Sequence, residues 1–521
     1  MTTPNPSAPG ATATGPTVVV GIDVGTESTK ITLDSTLDYE IVRSAHGGHT
    51  TPSSVTFRGR QRMIGEDATE ARNADGNTIL HVGRLLGSGG GGGSGGSTDG
   101  SNDDESDALA AFYRFHRTQQ EDGTYTTSVE YDSSRRDFTA SAVLAMLLGK
   151  IRRGVEETVA RKTGGSSDSK SVGSAQYKYV LAVPPGTGEA AKSAVRDAAY
   201  AAGCGDDVAV VSAAECTTAV YGKKFGGDVT DDADADAEDG GNGKVVLVVD
   251  MGHAQTSASL LRLGGATAGA DADASSPSPP AGAALLASAS DAALGGGCVD
   301  VKLWHHFQRT IPGLASIKPN TRRGQRLLDG CRRLKHLLSM LPSGSVTVET
   351  LGDNDADVTL KASRDIIAEL CQEQGEALSA LIATVVADAD GVESASAISP
   401  VEILGGGVRI PFFQEAILKS LGRGENMTFS RSLDDTWRWA QLFWAREVPQ
   451  PPMTLAPMMV FRSMPTSAGP SPKPRRPCAG SIWRCTPGPR PGTKSSLMYW
   501  RCAELGMGST GRSYPKSSMR I

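Results

Sequence analysis

Asp23 and Asp250 stand in the same local setting, roughly 230 residues apart. Each closes a run of apolar residues, and each is followed two positions later by a glycine, in "VVVGIDVGTES" and "VVLVVDMGHAQ". A carboxylate at a strand end can hold Mg²⁺, usually through water, and the N–H groups of a glycine turn beside it form a nest for an anion. Gly25 and Thr26 would supply the first turn, and Gly252 with His253 the second. A third glycine feature is "EILGGGVRIP", in which Gly405 and Gly406 close a strand and Arg409 follows. Either aspartate turn alone reads as an ordinary β-turn. Their repetition points to one shared ligand.

Positioning these turns requires strands that end at a common edge. The apolar runs "TVVVGIDVG", "YVLAVPP", "KVVLVVDMG" and "VEILGGG" have strand character. Between them lie segments of helical period, among them "FTASAVLAMLLGKIRRGVEETVARK" and "NTRRGQRLLDGCRRLKHLLSML". Strands alternating with helices of this length predict an α/β architecture. Four Gly/Ser/Asp-rich tracts, near 88–107, 163–176, 226–243 and 264–284, have too little apolar surface to offset the entropy of ordering and are expected to be disordered acidic insertions. Residues 1–16 are expected to be a disordered leader.

Composition narrows the partners. The chain carries a net charge of −6, but residues 449–521 hold eleven Lys/Arg against one acid, leaving −16 on the first 448 residues. An acidic body of that kind argues against nucleic acid as a partner. No apolar run reaches 18 residues, so no membrane span is expected, and the N-terminus lacks the basic and apolar regions of a secretory signal. The eight cysteines have no zinc spacing and are expected to be reduced thiols in a cytoplasmic protein.

Duplicated strand-Asp-x-Gly turns facing each other across a cleft resemble the actin-like ATPase superfamily. Within it, the order of segments from about Val18 to Thr436 resembles the nucleotide-binding domain of the 70-kDa heat-shock chaperones. "GIDVGTEST", "TTPSSVTF", "RMIGEDA", "TILHVGRLLG", "LAVPPGTGEAAKSAVRDAAYAAG", "ALGGGCVDVKLWHHF", "CRRLKHLLS" and "VEILGGGVRIP" occur in the family's sequence order. The resemblance implies a two-lobed α/β fold of ribonuclease H-like type over residues 17–436, binding ATP or ADP with Mg²⁺ in the cleft. It places Gly295 and Gly296 in a third phosphate loop and Lys335 and Ser339 at the nucleoside. His253 in "DMGHA" and the double proline of "AVPP" resemble the 110-kDa branch of the family.

Several catalytic positions depart from the family's pattern. Where it has a lysine near the γ-phosphate this chain has Gly83, and its threonine and second aspartate fall on Gln255 and Ser257. Its catalytic glutamate falls on Ala213 without a gap, or on Glu215 if two residues are skipped. With Asp23, Asp250 and Glu215 as the expected catalytic carboxylates, hydrolysis should be slow or absent, since each such group is typically worth orders of magnitude in rate. The resemblance implies an ATP-binding co-chaperone that promotes nucleotide exchange on a 70-kDa heat-shock chaperone and could contact unfolded clients. The alternatives are an ATP-hydrolysing foldase and a non-catalytic pseudo-ATPase.

Beyond Thr436 the composition changes abruptly. Five of the six tryptophans lie there, and "WRWAQ" stands where the family has a helix of the form Asp-Glu-Ala-apolar-Ala-x-Gly-Ala-Ala. Because tryptophan has one codon, the neighbouring frame through Trp437–Ala440 can be partly reconstructed, and it encodes apolar-Ala-apolar-Gly. Residues 437–521 are therefore expected to be an out-of-frame basic Pro/Arg-rich tail.

Overall fold

The computed structural model describes residues 17–423, except 36–37, 72–75, 88–107, 163–175, 207, 226–243, 264–282, 393–394 and 396–397. The expected leader, almost all of the four insertions, the end of the nucleotide domain and the tail lie outside these residues. Two insertion edges shift inward, because Gln176 opens a strand and Ala283 and Ala284 open another.

Two sheets, wired alike, organise the chain. The first contains β1 (Thr17–Asp23), β2 (Ser28–Ser35), β3 (Asp38–Ile41), β4 (Thr51–Pro52), β5 (Gln176–Val183) and β6 (Val208–Ser212). Its order is β6-β5-β1-β2-β3, with β4 pairing β2. The second contains β7 (Lys244–Met251), β8 (Thr256–Leu263), β9 (Ala283–Asp291) and β10 (Ile398–Leu404), in the order β9-β8-β7-β10. In each sheet a leading strand forms an antiparallel hairpin with its successor and runs parallel to a strand that arrives much later: β1 with β2 and β5, β7 with β8 and β10. Parallel neighbours require covered faces, which is why β1 and β7 are near-continuous apolar runs rather than alternating ones. Val18, Val20 and Ile22, like Val246, Leu247 and Val249, are buried.

Helices cover these faces. Helix α1 (Ala140–Lys162) buries Val143, Leu144, Leu147, Leu148, Ile151 and Val155, a stripe at helical spacing. Helices α2 (Glu189–Ala201) and α3 (Ala213–Phe225) complete the first half. In the second half, α4 (Gly296–Thr310) packs on α5 (Arg322–Met340), and α6 (Gln372–Ala387) on α7 (Pro411–Ser420). Trp304 of α4 is fully buried and donates its indole N–H to Gly324 O at 3.0 Å. Helix α5 starts where Thr321 accepts a hydrogen bond from the Gly324 N–H, at 3.1 Å. Thr321→Ala should therefore lower stability by about 1 kcal/mol, readable as a shifted denaturant midpoint at unchanged slope.

Among the described residues the five cysteines are free thiols, and Cys204, Cys216, Cys331 and Cys371 are buried. Burial pushes their pKa values up, to about 11 for Cys204 and about 12 for Cys371. No described helix is long and apolar enough to cross a membrane.

Candidate functional site

Both leading strands carry their aspartates at their ends, Asp23 last in β1 and Asp250 next to last in β7. Asp23 lies beside Ala182 of β5, and Asp250 beside Leu404 of β10. The chain leaves β5 through Val183–Pro184–Pro185 and leaves β10 through Gly405–Gly406, so two hairpin turns and two strand exits converge. They line a cavity of about 500 Å³ between the halves. Asp23, Gly25, Thr26, Asp250, Gly252, His253, Gly296, Lys335, Ser339, Gly405, Gly406 and Arg409 all border it.

The glycines are there for close approach. A Cβ on Gly25 would lie 2.4 Å from Ser28 O. Gly405 has φ +84°, and its Cβ would lie 2.3 Å from Met251 O and 2.6 Å from Asp250 Oδ1. Both contacts are shorter than any side chain tolerates. Gly295 does not border the cavity. It caps α4, and a Cβ there would sit 2.4 Å from His253 O, so its role is to seat α4 on the second hairpin turn. Gly296 N–H donates to Gly252 O at 2.9 Å, which ties the same two segments.

Glu215 is a correction to the sequence reading. Its carboxylate accepts from Ser212 N–H at 2.8 Å while Ser212 Oγ accepts from Ala214 N–H at 3.3 Å, a reciprocal cap at the start of α3. Glu215 is exposed and is not among the residues bordering the cavity, whereas Ala213 borders it. The ungapped placement of the family's glutamate on Ala213 is the one that fits, and the carboxylate is missing there. Gly83 lies beneath the first turn, where a Cβ would make an ordinary contact, 3.5 Å from Val24 O. Gln255 borders the cavity, but Ser257 is not among its lining residues.

Lys335 and His253 are placed at the cavity but engaged elsewhere. The buried Lys335 ammonium donates to Gly296 O at 2.8 Å and to Asp300 Oδ2 at 2.7 Å, leaving one of its three N–H groups for a ligand. Ser339 Oγ donates to His336 O and can still accept. The His253 side chain is 5% exposed and sits on Gly297, whose missing Cβ would lie 3.0 Å from the ring. Its Nδ1 is 3.2 Å from Glu27 Oε2. An ionised carboxylate only accepts, so the hydrogen is on Nδ1. Nε2 is buried without a partner among the described residues.

Glu27, Arg332 and Lys30 at this site were not anticipated. Glu27 accepts from His253 and also from Arg332 Nη1 at 3.1 Å; Arg332 Nε lies 3.9 Å from Asp300 Oδ2. Burial opposes the charge on Glu27, but the His253 hydrogen bond and the charges of Arg332 and Lys335 outweigh it and hold its carboxyl far below the usual range. Lys30, paired in register with Asp23, also borders the cavity. Its period-2 relation to Ser28 is the sequence signal that could have revealed it. Glu27 and Arg332 carried no such signal, because each looks like an ordinary surface charge. His81, packed 4.9 Å from His253, has φ +55° and is kept neutral, its pKa lowered chiefly by burial and further by His253 and Arg332.

Known proteins resemble this chain over most of its described residues. A family model described as "Hsp70 protein" matches residues 19–431. The chain is 25% identical over 408 residues to a heat shock protein of Pyricularia oryzae, covering 77% of this chain and 57% of that protein. It is 25% identical over 403 residues to "Heat shock 70 kDa protein" of Trichophyton rubrum, covering 76% and 53%. Against a heat shock protein homolog of Saccharomyces cerevisiae it is 23% identical over 414 residues, covering 79% and 52%. The chain thus spans a little over half the length of these curated relatives.

Proposed function

The chain belongs to the Hsp70 family, and from that membership we propose that it binds ATP or ADP with Mg²⁺ in the cleft and hydrolyses ATP slowly. Its fold is the two-lobed actin-like ATPase fold of that family. The observation that carries the proposal is the convergence of Asp23 and Asp250 with three glycine turns on one cavity in which Ala213 occupies the glutamate position. Gly25 and Gly405 let the two turns close tightly beside the cavity, since a Cβ at either would run into Ser28 O or Met251 O. Asp23 and Asp250 would hold Mg²⁺ through water, as that ion prefers when substrate phosphates complete its shell. Bound there, Mg²⁺ would neutralise phosphate charge. Arg409, Ser339 and the remaining N–H of Lys335 would orient the nucleoside, with Met340 and Ile410 beside them.

Asp250→Asn should weaken Mg²⁺-dependent ATP binding by about tenfold or more without unfolding the protein, because the residue lies at a strand end. Titration calorimetry with and without Mg²⁺ checks this, and equal affinity in the variant would remove Asp250 from the site.

The finer role proposed is that of a cytoplasmic co-chaperone of the 110-kDa type, promoting nucleotide exchange on a 70-kDa heat-shock chaperone and possessing only weak turnover of its own. Support comes from His253 and Pro184–Pro185, the features shared with that branch, and from the missing catalytic groups. Stopped-flow release of labelled ADP from a 70-kDa chaperone tests it. Acceleration by the full chain is expected, and no acceleration at micromolar chain overturns it.

A further inference from the structure

Glu27 sits in the first glycine turn, where a bound nucleotide would bring its phosphates, and it is an anion. Its two partners come from the other half: His253 from the β7–β8 turn at 3.2 Å and Arg332 from α5 at 3.1 Å. The fixed charges nearest Glu27 are already balanced among themselves. Two carboxylates, Glu27 and Asp300, face two fixed cations, Arg332 and Lys335, and the Lys335–Asp300 contact is 2.7 Å. This cluster holds no fixed cation in excess for a phosphate; Lys30 borders the cavity from outside it. The Glu27 side chain is nonetheless 42% exposed and borders the cavity, so its charge is felt there.

We infer that Glu27 is a charge gate: it ties the first glycine turn to His253 and Arg332 across the cleft, and it opposes the entry of phosphate into that turn. The gate deepens the nucleotide reading proposed above. It makes affinity depend on ligand charge, penalising a triphosphate relative to an uncharged nucleoside. At separations of several ångströms and the dielectric of a partly exposed site, one unit charge is worth roughly a tenfold change in affinity for a multiply charged ligand.

Glu27→Gln keeps the shape and removes the charge. Arg332 retains Asp300 as a neighbour, so the variant is expected to fold. In titration calorimetry on the full chain, Glu27→Gln should bind Mg·ATP about tenfold more tightly while adenosine affinity stays within twofold. Arg332→Gln should act with the opposite sign, weakening Mg·ATP several-fold by leaving the carboxylate less compensated. A purely structural tie would weaken binding in both variants. Without nucleotide, amide hydrogen exchange over residues 24–28 and 322–332 should speed up in both. If Glu27→Gln binds Mg·ATP no more tightly, or shifts adenosine equally, the gate is overturned while the site stands. If neither the native chain nor the variant binds any of these ligands, the nucleotide site fails and the gate with it.

Discussion

The double variant Gly83→Lys/Ala213→Glu should hydrolyse bound ATP at least about a hundredfold faster than the native chain under single-turnover conditions. Both substitutions restore groups that the family resemblance places beside the γ-phosphate; Gly83 has room for a Cβ, and Ala213 borders the cavity. A Cβ at Gly83 meets only ordinary contacts, 3.5 Å to Val24 O and 3.7 Å to Gly25 O. Ala213 is the first residue of α3, where a carboxylate interacts favourably with the helix N-terminus by about 0.3–1 kcal/mol. Ser257 and Gln255 remain unrestored, so the rate should still fall short of an efficient ATPase. An unchanged rate in a variant that binds ATP normally would show that slow turnover has another origin.

Gly405→Ala should destabilise the protein by about 3 kcal/mol or more and abolish nucleotide binding. The added methyl has no free direction: the backbone is left-handed, and Met251 O and Asp250 Oδ1 lie 2.3 and 2.6 Å from it. Relief requires β7 and β10 to part at the point where Asp250 is held. Chemical denaturation and calorimetry read the two effects separately. Retention of native nucleotide affinity would mean that the exit of β10 is not part of the site.

Much of this site was legible in the sequence because its chemistry is written in short, local patterns. Strand-Asp-x-Gly specifies where a chain turns and what it offers there, and both copies landed on one cavity. The parallel partners of the leading strands were legible too, as apolar runs ending in Pro184–Pro185 and Gly405–Gly406. Contacts between distant segments were not. Nothing near Glu27 announces Arg332, some 300 residues later, and a glutamate in a glycine turn looks solvated until the second half is folded against it. Glu215 was misjudged for a related reason. A carboxylate three residues after a serine suits a helix cap and a catalytic base equally, and only the seating of α3 decides between them. Gly295 was assigned to a ligand when its constraint comes from the neighbouring turn.

The buried thiols offer a way to watch the two halves independently. A thiol attacks an alkylating reagent as its thiolate, and burial has left almost none of that form at neutral pH. Cys204, just after α2 in the first half, and Cys331 on α5 in the second can therefore react only while their surroundings are open. Pulse alkylation followed by peptide mass spectrometry would time the opening of each half without any introduced label, and would tell whether they open together or in sequence.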